Sequence, residues 1–170
     1  MSHPPPLDRD ATAVAYARHR RVHEAGDWEG LGALFAEDAR YFDPFFGWHE
    51  GQPAIAAFLR RSMAGLEGWT FPIQWHVAGE GRVVVRWLNR LPGRRPDGSP
   101  FEFPGMSVIT FGPGGAITEQ QDLYDRFEAL QTVLGARTGA VGRAAGWCWS
   151  RVGAILAELS HRAVASSERR

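Results

Sequence analysis

Between Gly81 and Leu91 apolar and polar residues alternate with the two-residue period of a strand. Val83, Val85, Trp87, Asn89 and Leu91 fall on one side, and Arg82, Val84, Arg86, Leu88 and Arg90 on the other. An apolar row with one tryptophan and one carboxamide predicts the wall of a core that becomes a cavity near Asn89. A second strand, Ala116 to Asp125, places Thr118, Gln120, Asp122 and Tyr124 on one face. From Trp69 the same period puts Phe71, Ile73, Trp75 and Val77 together, leaving His76 on the polar row.

Upstream the period is helical. Asp10 predicts the cap of a first helix to about Glu24, with Val14, Tyr16 and Val22 apolar and His19 and His23 on polar surface. Asp27 caps a second, in which Trp28, Leu31, Leu34 and Phe35 recur at three- and four-residue steps. A short strand, Ala39 to Asp43, precedes a turn-rich aromatic segment, Pro44 to Gly51. A third helix follows with Pro53 in its first turn and Ile55, Phe58, Leu59 and Met63 on its apolar face. The Pro-Gly and Asp-Gly pairs of Pro92 to Pro100 and the Gly-Pro-Gly-Gly run at Gly112 read as hairpin connections. Between them Phe101 to Phe111 is a strand with a bulge expected at Pro104 and Gly105. Helices gathered ahead of a four-strand meander predict an α+β domain with the helices on one side of an antiparallel sheet.

The expected organisation is a disordered N-terminus (1–10), one domain (11–133) and a helical extension (134–170). The extension's helix, about Val141 to Ala165, carries Cys148, Val152, Ile155, Leu156 and Leu159 on one stripe. It can shield the cavity mouth, cross to a partner or lie on a membrane surface, the last option resting on Arg143, Arg151 and Arg162.

Composition narrows the function. Nineteen basic and nineteen acidic residues cancel, and the seven tryptophans and ten phenylalanines do not interleave with a basic patch, so no nucleic-acid partner is expected. The single cysteine, Cys148, forms no internal disulfide and lacks neighbours at metal-ligand spacing. Neither a signal peptide nor a membrane-length apolar run is seen, which predicts a cytoplasmic, soluble chain. No metal is predicted, and no Gly-rich loop joins a strand to a helix as a nucleotide cofactor would require.

Asp122 is the leading chemical candidate. Free aspartate titrates near pH 3.9, too low for a proton shuttle at neutral pH, but apolar burial raises it. Trp75, Val85, Trp87 and Phe103 are expected to supply that burial; the alternatives are a solvated carboxylate or one paired with arginine. Tyr41 and Asp43 are two apart on a strand and point the same way. Asp43 offers a second carboxyl group in an unlike environment and Tyr41 an oxyanion donor, a division that suits isomerisation or ring closure through an enolate. Asp43-Pro44 is equally a way to leave a strand by bonding local backbone. Asn89 either bonds nearby backbone or offers its amide to a ligand. His49, with Phe45, Phe46 and Trp48, is placed to cap the cavity mouth, and Tyr124 shares the face of Asp122.

The element order resembles the nuclear transport factor 2-like superfamily, and within it the SnoaL-like polyketide cyclases, limonene epoxide hydrolase and ketosteroid isomerase. The residues carrying the likeness are Leu34-Phe35-Ala36-Glu37-Asp38-Ala39, Gly51, Gly81-Arg82-Val83-Val84-Val85-Arg86 and Ala116-Ile117-Thr118-Glu119-Gln120-Gln121-Asp122. The resemblance implies a cone-shaped barrel of curved antiparallel sheet with helices on its concave side, and dimerisation through the outer face that carries Arg82, Arg86 and Arg90. It sets Asp122 at the general acid or base of the cyclases and at one aspartate of the hydrolase triad. Tyr41 and Asp43 fall where the hydrolase holds its attacking water. Trp87 and Asn89 occupy the places of the triad's arginine and second aspartate, so half of that machinery is missing. One fold hosts many chemistries. The expectation is a cofactor-independent isomerase, cyclase or dehydratase acting on a hydrophobic, ring-bearing carbonyl compound. A non-catalytic binder of an apolar ligand, an assembly module, and a hydrolase with an incomplete triad are the alternatives.

Overall fold

The structure, a computed structural model, describes residues 7–137. The helix expected over 141–165 lies outside them. Helix α1 (Arg9–Glu24) starts earlier than the sequence suggests: Asp8, not Asp10, is the cap, its carboxylate accepting from the Ala11 N–H at 2.7 Å. Residues 9 and 10, expected to be disordered, are thus the first turn of the helix. Its inward face carries Thr12, Tyr16 and His19, while Val14 is exposed. Helix α2 is a single turn (Trp28–Gly32), capped by Asp27, and Phe35 already belongs to strand β1 (Phe35–Asp43). The aromatic segment expected to be only turn contains β2 (Gly47–Glu50), paired antiparallel to β1. Gly51 (φ 82°) then opens α3 (Gln52–Met63), whose Ile55, Phe58 and Leu59 are buried.

Strands β3 (Ile73–Ala78), β4 (Arg82–Arg94), β5 (Pro100–Phe111) and β6 (Ile117–Leu123) form the expected meander, with a 3₁₀ turn at Pro113–Gly115. The sheet order is β2-β1-β6-β5-β4-β3. This α+β architecture corrects the expected antiparallel barrel in two ways. Strand β1 runs parallel to β6, so the sheet is mixed, and it stays open with β2 and β3 as edges. A parallel pair needs a crossover, and the long path from β1 through α3 and the meander supplies it.

The predicted row of β4 holds: Val83, Val85, Trp87, Asn89 and Leu91 are all buried. Strand β5 alternates strictly from Phe101 to Phe111, so no bulge disturbs its phase at Pro104 and Gly105. The phase breaks elsewhere. Register shifts fall in β3 between Ile73 and Trp75 and in the β5–β6 pair beside Phe111. A one-residue slip turns every later side chain to the other face.

Two compact units divide the described chain. The first, up to Arg90 with Glu102–Asp125, contains a core built from Tyr16, Leu31, Ile55, Phe58 and Leu59 of the helices and Phe35, Val83, Val85, Trp87, Ile109, Phe111 and Ile117 of the sheet. The second contains Leu91–Phe101 and α4 (126–137), an element the sequence reading did not anticipate. At its hairpin tip Asp97 accepts from Ser99 and the Arg95 guanidinium lies 5.2 Å from the Phe101 ring. Ala129, Thr132 and Gly135 are the buried positions of α4.

Candidate active site

Asp122 lies on β6 opposite Ser107 of β5. Its Oδ1 accepts from Ser107 Oγ at 2.7 Å and from Gln120 Nε2 at 3.0 Å; its Oδ2 accepts from the Tyr41 phenol at 2.5 Å. Tyr41 reaches it because β1 and β6 run parallel, with Tyr41 level with Gln120. Trp87 completes the cluster by donating Nε1–H to Ser107 Oγ at 2.8 Å. That bond depends on a glycine: a Cβ at Gly105 would sit 2.4 Å from the Trp87 ring, which lies flat over the strand at this point.

Burial and bonding oppose each other at Asp122. Burial pushes its carboxyl above the ordinary carboxylate range, helped by the nearby Asp43 charge, while the Ser107, Tyr41 and Gln120 donors pull it back. The net direction is upward. No cation among the described residues bonds it. Tyr41 is held well above the usual phenol range by burial and by Asp122, so it remains a neutral donor.

Asp43 is held differently. Its Oδ1 accepts from the backbone N–H groups of Phe45 (2.8 Å) and Phe46 (3.1 Å), and its Oδ2 from the Tyr124 phenol (2.9 Å). It therefore builds the turn into the aromatic segment as well as facing inward. Burial, then Asp43, pushes Tyr124 far above the normal phenol range.

Aromatic rings surround these carboxylates. The Tyr124 ring lies 5.8 Å from Phe45, 5.8 Å from Phe103 and 6.4 Å from Trp87. His49, opposite Tyr41 in the β1–β2 pair, stacks on Phe58 at 4.0 Å. Burial lowers its affinity for a proton, and its Nε2 is buried without a partner among the described residues. Asn89 is buried with its Nδ2 likewise unpartnered. A buried donor left open is costly and is thereby available to a guest.

Trp75 does not join this group. The register shift in β3 pairs it with Arg86, on the outer face, and leaves it 46% exposed; His76, paired with Val85 and itself exposed, meets the Tyr16 ring at 4.6 Å. His19, expected on a polar surface, is buried, as is Nδ1 of His23. Burial and the neighbouring His23 lower the His19 pKa to about 3, opposed by the Gln120 carboxamide beside it. Burial lowers His23 too. Ser107 escaped the sequence reading, although its signal is present: it is the one polar side chain in the inward row Phe101, Phe103, Gly105, Ser107, Ile109, Phe111.

The fold agrees with the comparisons. The sequence profile of the SnoaL-like domain matches residues 16–120. The chain belongs to that family, within the nuclear transport factor 2-like superfamily. Among solved structures, a protein from Catenulispora acidiphila with a ketosteroid isomerase-like fold, in complex with trimethylamine, is 23% identical with TM-score 0.57, over 69% of this chain and 90% of that one. TerC co-crystallised with polyporic acid is 19% identical with TM-score 0.55, over 68% and 92%. An epoxide hydrolase of the LEH-like type from M. tuberculosis is 20% identical with TM-score 0.58, over 74% and 91%. No match was found among curated proteins. No described helix is long and apolar enough to cross a membrane.

Proposed function

We propose that this chain is a cofactor-independent acid/base enzyme that isomerises, cyclises or dehydrates a hydrophobic, ring-bearing carbonyl compound, with Asp122 exchanging the proton. The observation that carries the reading is an inward-facing carboxylate held by three neutral donors, with burial raising its pKa toward neutral pH. Ionised Asp122 removes a proton beside the substrate carbonyl, and the open Nδ2 of Asn89 is a donor for the oxyanion that develops. Trp87, Phe103 and Tyr124 supply apolar surface for the rings of the guest. Water activation in the hydrolase manner has less support. Trp87 carries no guanidinium and its N–H is committed to Ser107, while Asp43 Oδ1 is committed to the turn.

Incubation of ring-bearing carbonyl compounds with the protein in D2O, followed by NMR, tests the proposal. Deuterium is expected to enter beside the carbonyl with the native chain and about 10²-fold or more slowly with Asp122→Asn, while binding persists. Binding without exchange in the native chain would favour a non-catalytic binder.

A further inference from the structure

The atoms around Asp122 have a direction that the acid/base reading alone does not require. An indole nitrogen only donates. Trp87 Nε1–H is directed at Ser107 Oγ, so Ser107 accepts there and its own proton is free to point at Asp122 Oδ1, 2.7 Å away. Gln120 Nε2 donates to the same oxygen. Oδ1 thus faces two N–H or O–H groups, and a proton placed on it would meet donors instead of acceptors. Oδ2 faces only the Tyr41 phenol, whose oxygen can accept as readily as it donates.

We propose that Trp87 and Ser107 are a positioning pair that commits Oδ1 of Asp122 to accepting hydrogen bonds, so that the proton of the cycle is carried on Oδ2, the oxygen shared with Tyr41. The inference rests on the acid/base reading for its consequence, but the hydrogen-bond polarity stands without it. When Asp122 takes a proton on Oδ2, that O–H donates to the Tyr41 oxygen and Tyr41, keeping its own proton, turns its O–H toward the guest. When Asp122 gives the proton up, Tyr41 turns back to donate. The atoms balance: one proton leaves the substrate carbon, resides on Oδ2 and returns to another substrate position. The sequence supports the pair through Gly105, since any side chain there would lift the indole away from Ser107.

The test reads the titration of Asp122 itself in the full chain without substrate, by NMR of aspartate labelled with ¹³C at the carboxyl carbon. The Asp122 signal is assigned by its loss in Asp122→Asn. Groups facing Asp122 are Tyr41 and Asp43 from β1, Ser107 from β5, Gln120 from its own strand and Tyr124 beyond its end, with His19 of α1 beside Gln120. Ser107→Ala removes a donor to the ionised form and is expected to raise the Asp122 midpoint by about one pH unit. Trp87→Phe frees the Ser107 hydroxyl to turn away and should raise it by less. Ser107→Thr, which keeps the hydroxyl, should restore the native midpoint. An unchanged midpoint in Ser107→Ala, or an equal shift in Ser107→Ala and Ser107→Thr, would overturn the proposal. Should Ser107→Ala fail to fold, the Trp87→Phe shift decides. A shifted midpoint combined with full exchange activity in Asp122→Asn would leave the positioning pair standing and remove the acid/base reading.

Discussion

Tyr41 donates its phenol to Asp122 Oδ2 across the parallel β1–β6 pair at 2.5 Å. The bond is answered in the opposite sense by Tyr124, just past β6, which donates to Asp43 on β1. Each carboxylate is held by a tyrosine from the neighbouring strand, and the hydrogen bonds each accepts from described residues come from neutral donors. Neutral donors orient a carboxylate while leaving its charge uncompensated, which suits a group that must gain and lose a proton.

Removing the Tyr41 hydroxyl should therefore raise the Asp122 pKa further and slow turnover less than removing the carboxylate. Tyr41→Phe is expected to lose about tenfold in kcat, and its effect should not add to that of Asp122→Asn, because both act on one transition state. Steady-state kinetics of the two single variants and the double variant check this.

Asp122→Asn carries a second expectation, in stability. A carboxyl whose folded pKa lies above its unfolded value contributes stability below the unfolded pKa and loses it as pH rises through the folded one. Above the unfolded pKa Asp122 therefore works against folding. Asparagine keeps an acceptor for Ser107 and Gln120 and presents its amide to the Tyr41 oxygen, so Asp122→Asn should melt at the same or a higher temperature than the native chain at pH 7. A fall of several degrees in calorimetry would contradict the described bonding.

His19 has the opposite pH signature. Its folded pKa is about 3 against 6.5 in the unfolded chain, so the unfolded state binds the proton first as pH falls. The associated stability is full above pH 6.5 and is lost progressively between 6.5 and 3. Urea unfolding of His19→Leu at pH 7 and pH 4.5 should show a smaller acid loss than the native chain, by about 2 kcal/mol. Equal losses would mean that His19 is not held neutral. His23, also lowered by burial, adds to the native loss in the same direction.

Gly105→Ala tests the packing behind the site. The added methyl meets the Trp87 ring, and overpacking of this kind costs about 1–3 kcal/mol. Urea unfolding measures the cost, and a changed tryptophan emission should report the displaced indole.

Much of this arrangement is legible in the sequence wherever the two-residue period runs unbroken. The β4 row from Val83 to Leu91 and the placing of Gln120 with Asp122 follow from it directly. Trp75 does not, because a register shift two residues earlier reverses the faces of β3, and nothing local in Ile73-Gln74-Trp75 announces the shift. The shift beside Phe111 acts similarly: Ile117, not Thr118, is fully buried, pairing with Phe111. His19 was hidden for another reason. Helix α1 buries a threonine, a tyrosine and a histidine in place of an aliphatic stripe, so polarity alone assigns its faces wrongly. The parallel β1–β6 contact joins segments about eighty residues apart, and it is set by the fold as a whole.

The pH dependence of deuterium exchange into a bound ring-bearing carbonyl compound addresses the central claim most directly. The rate should rise with pH through the ionisation of one group, with a midpoint above about 3.9, the ordinary aspartate value, that coincides with the Asp122 carboxyl titration measured in the same complex. That limb should vanish in Asp122→Asn. A native-like limb persisting in Asp122→Asn, or a rate independent of Asp122 ionisation, would contradict the assignment of Asp122 as the base.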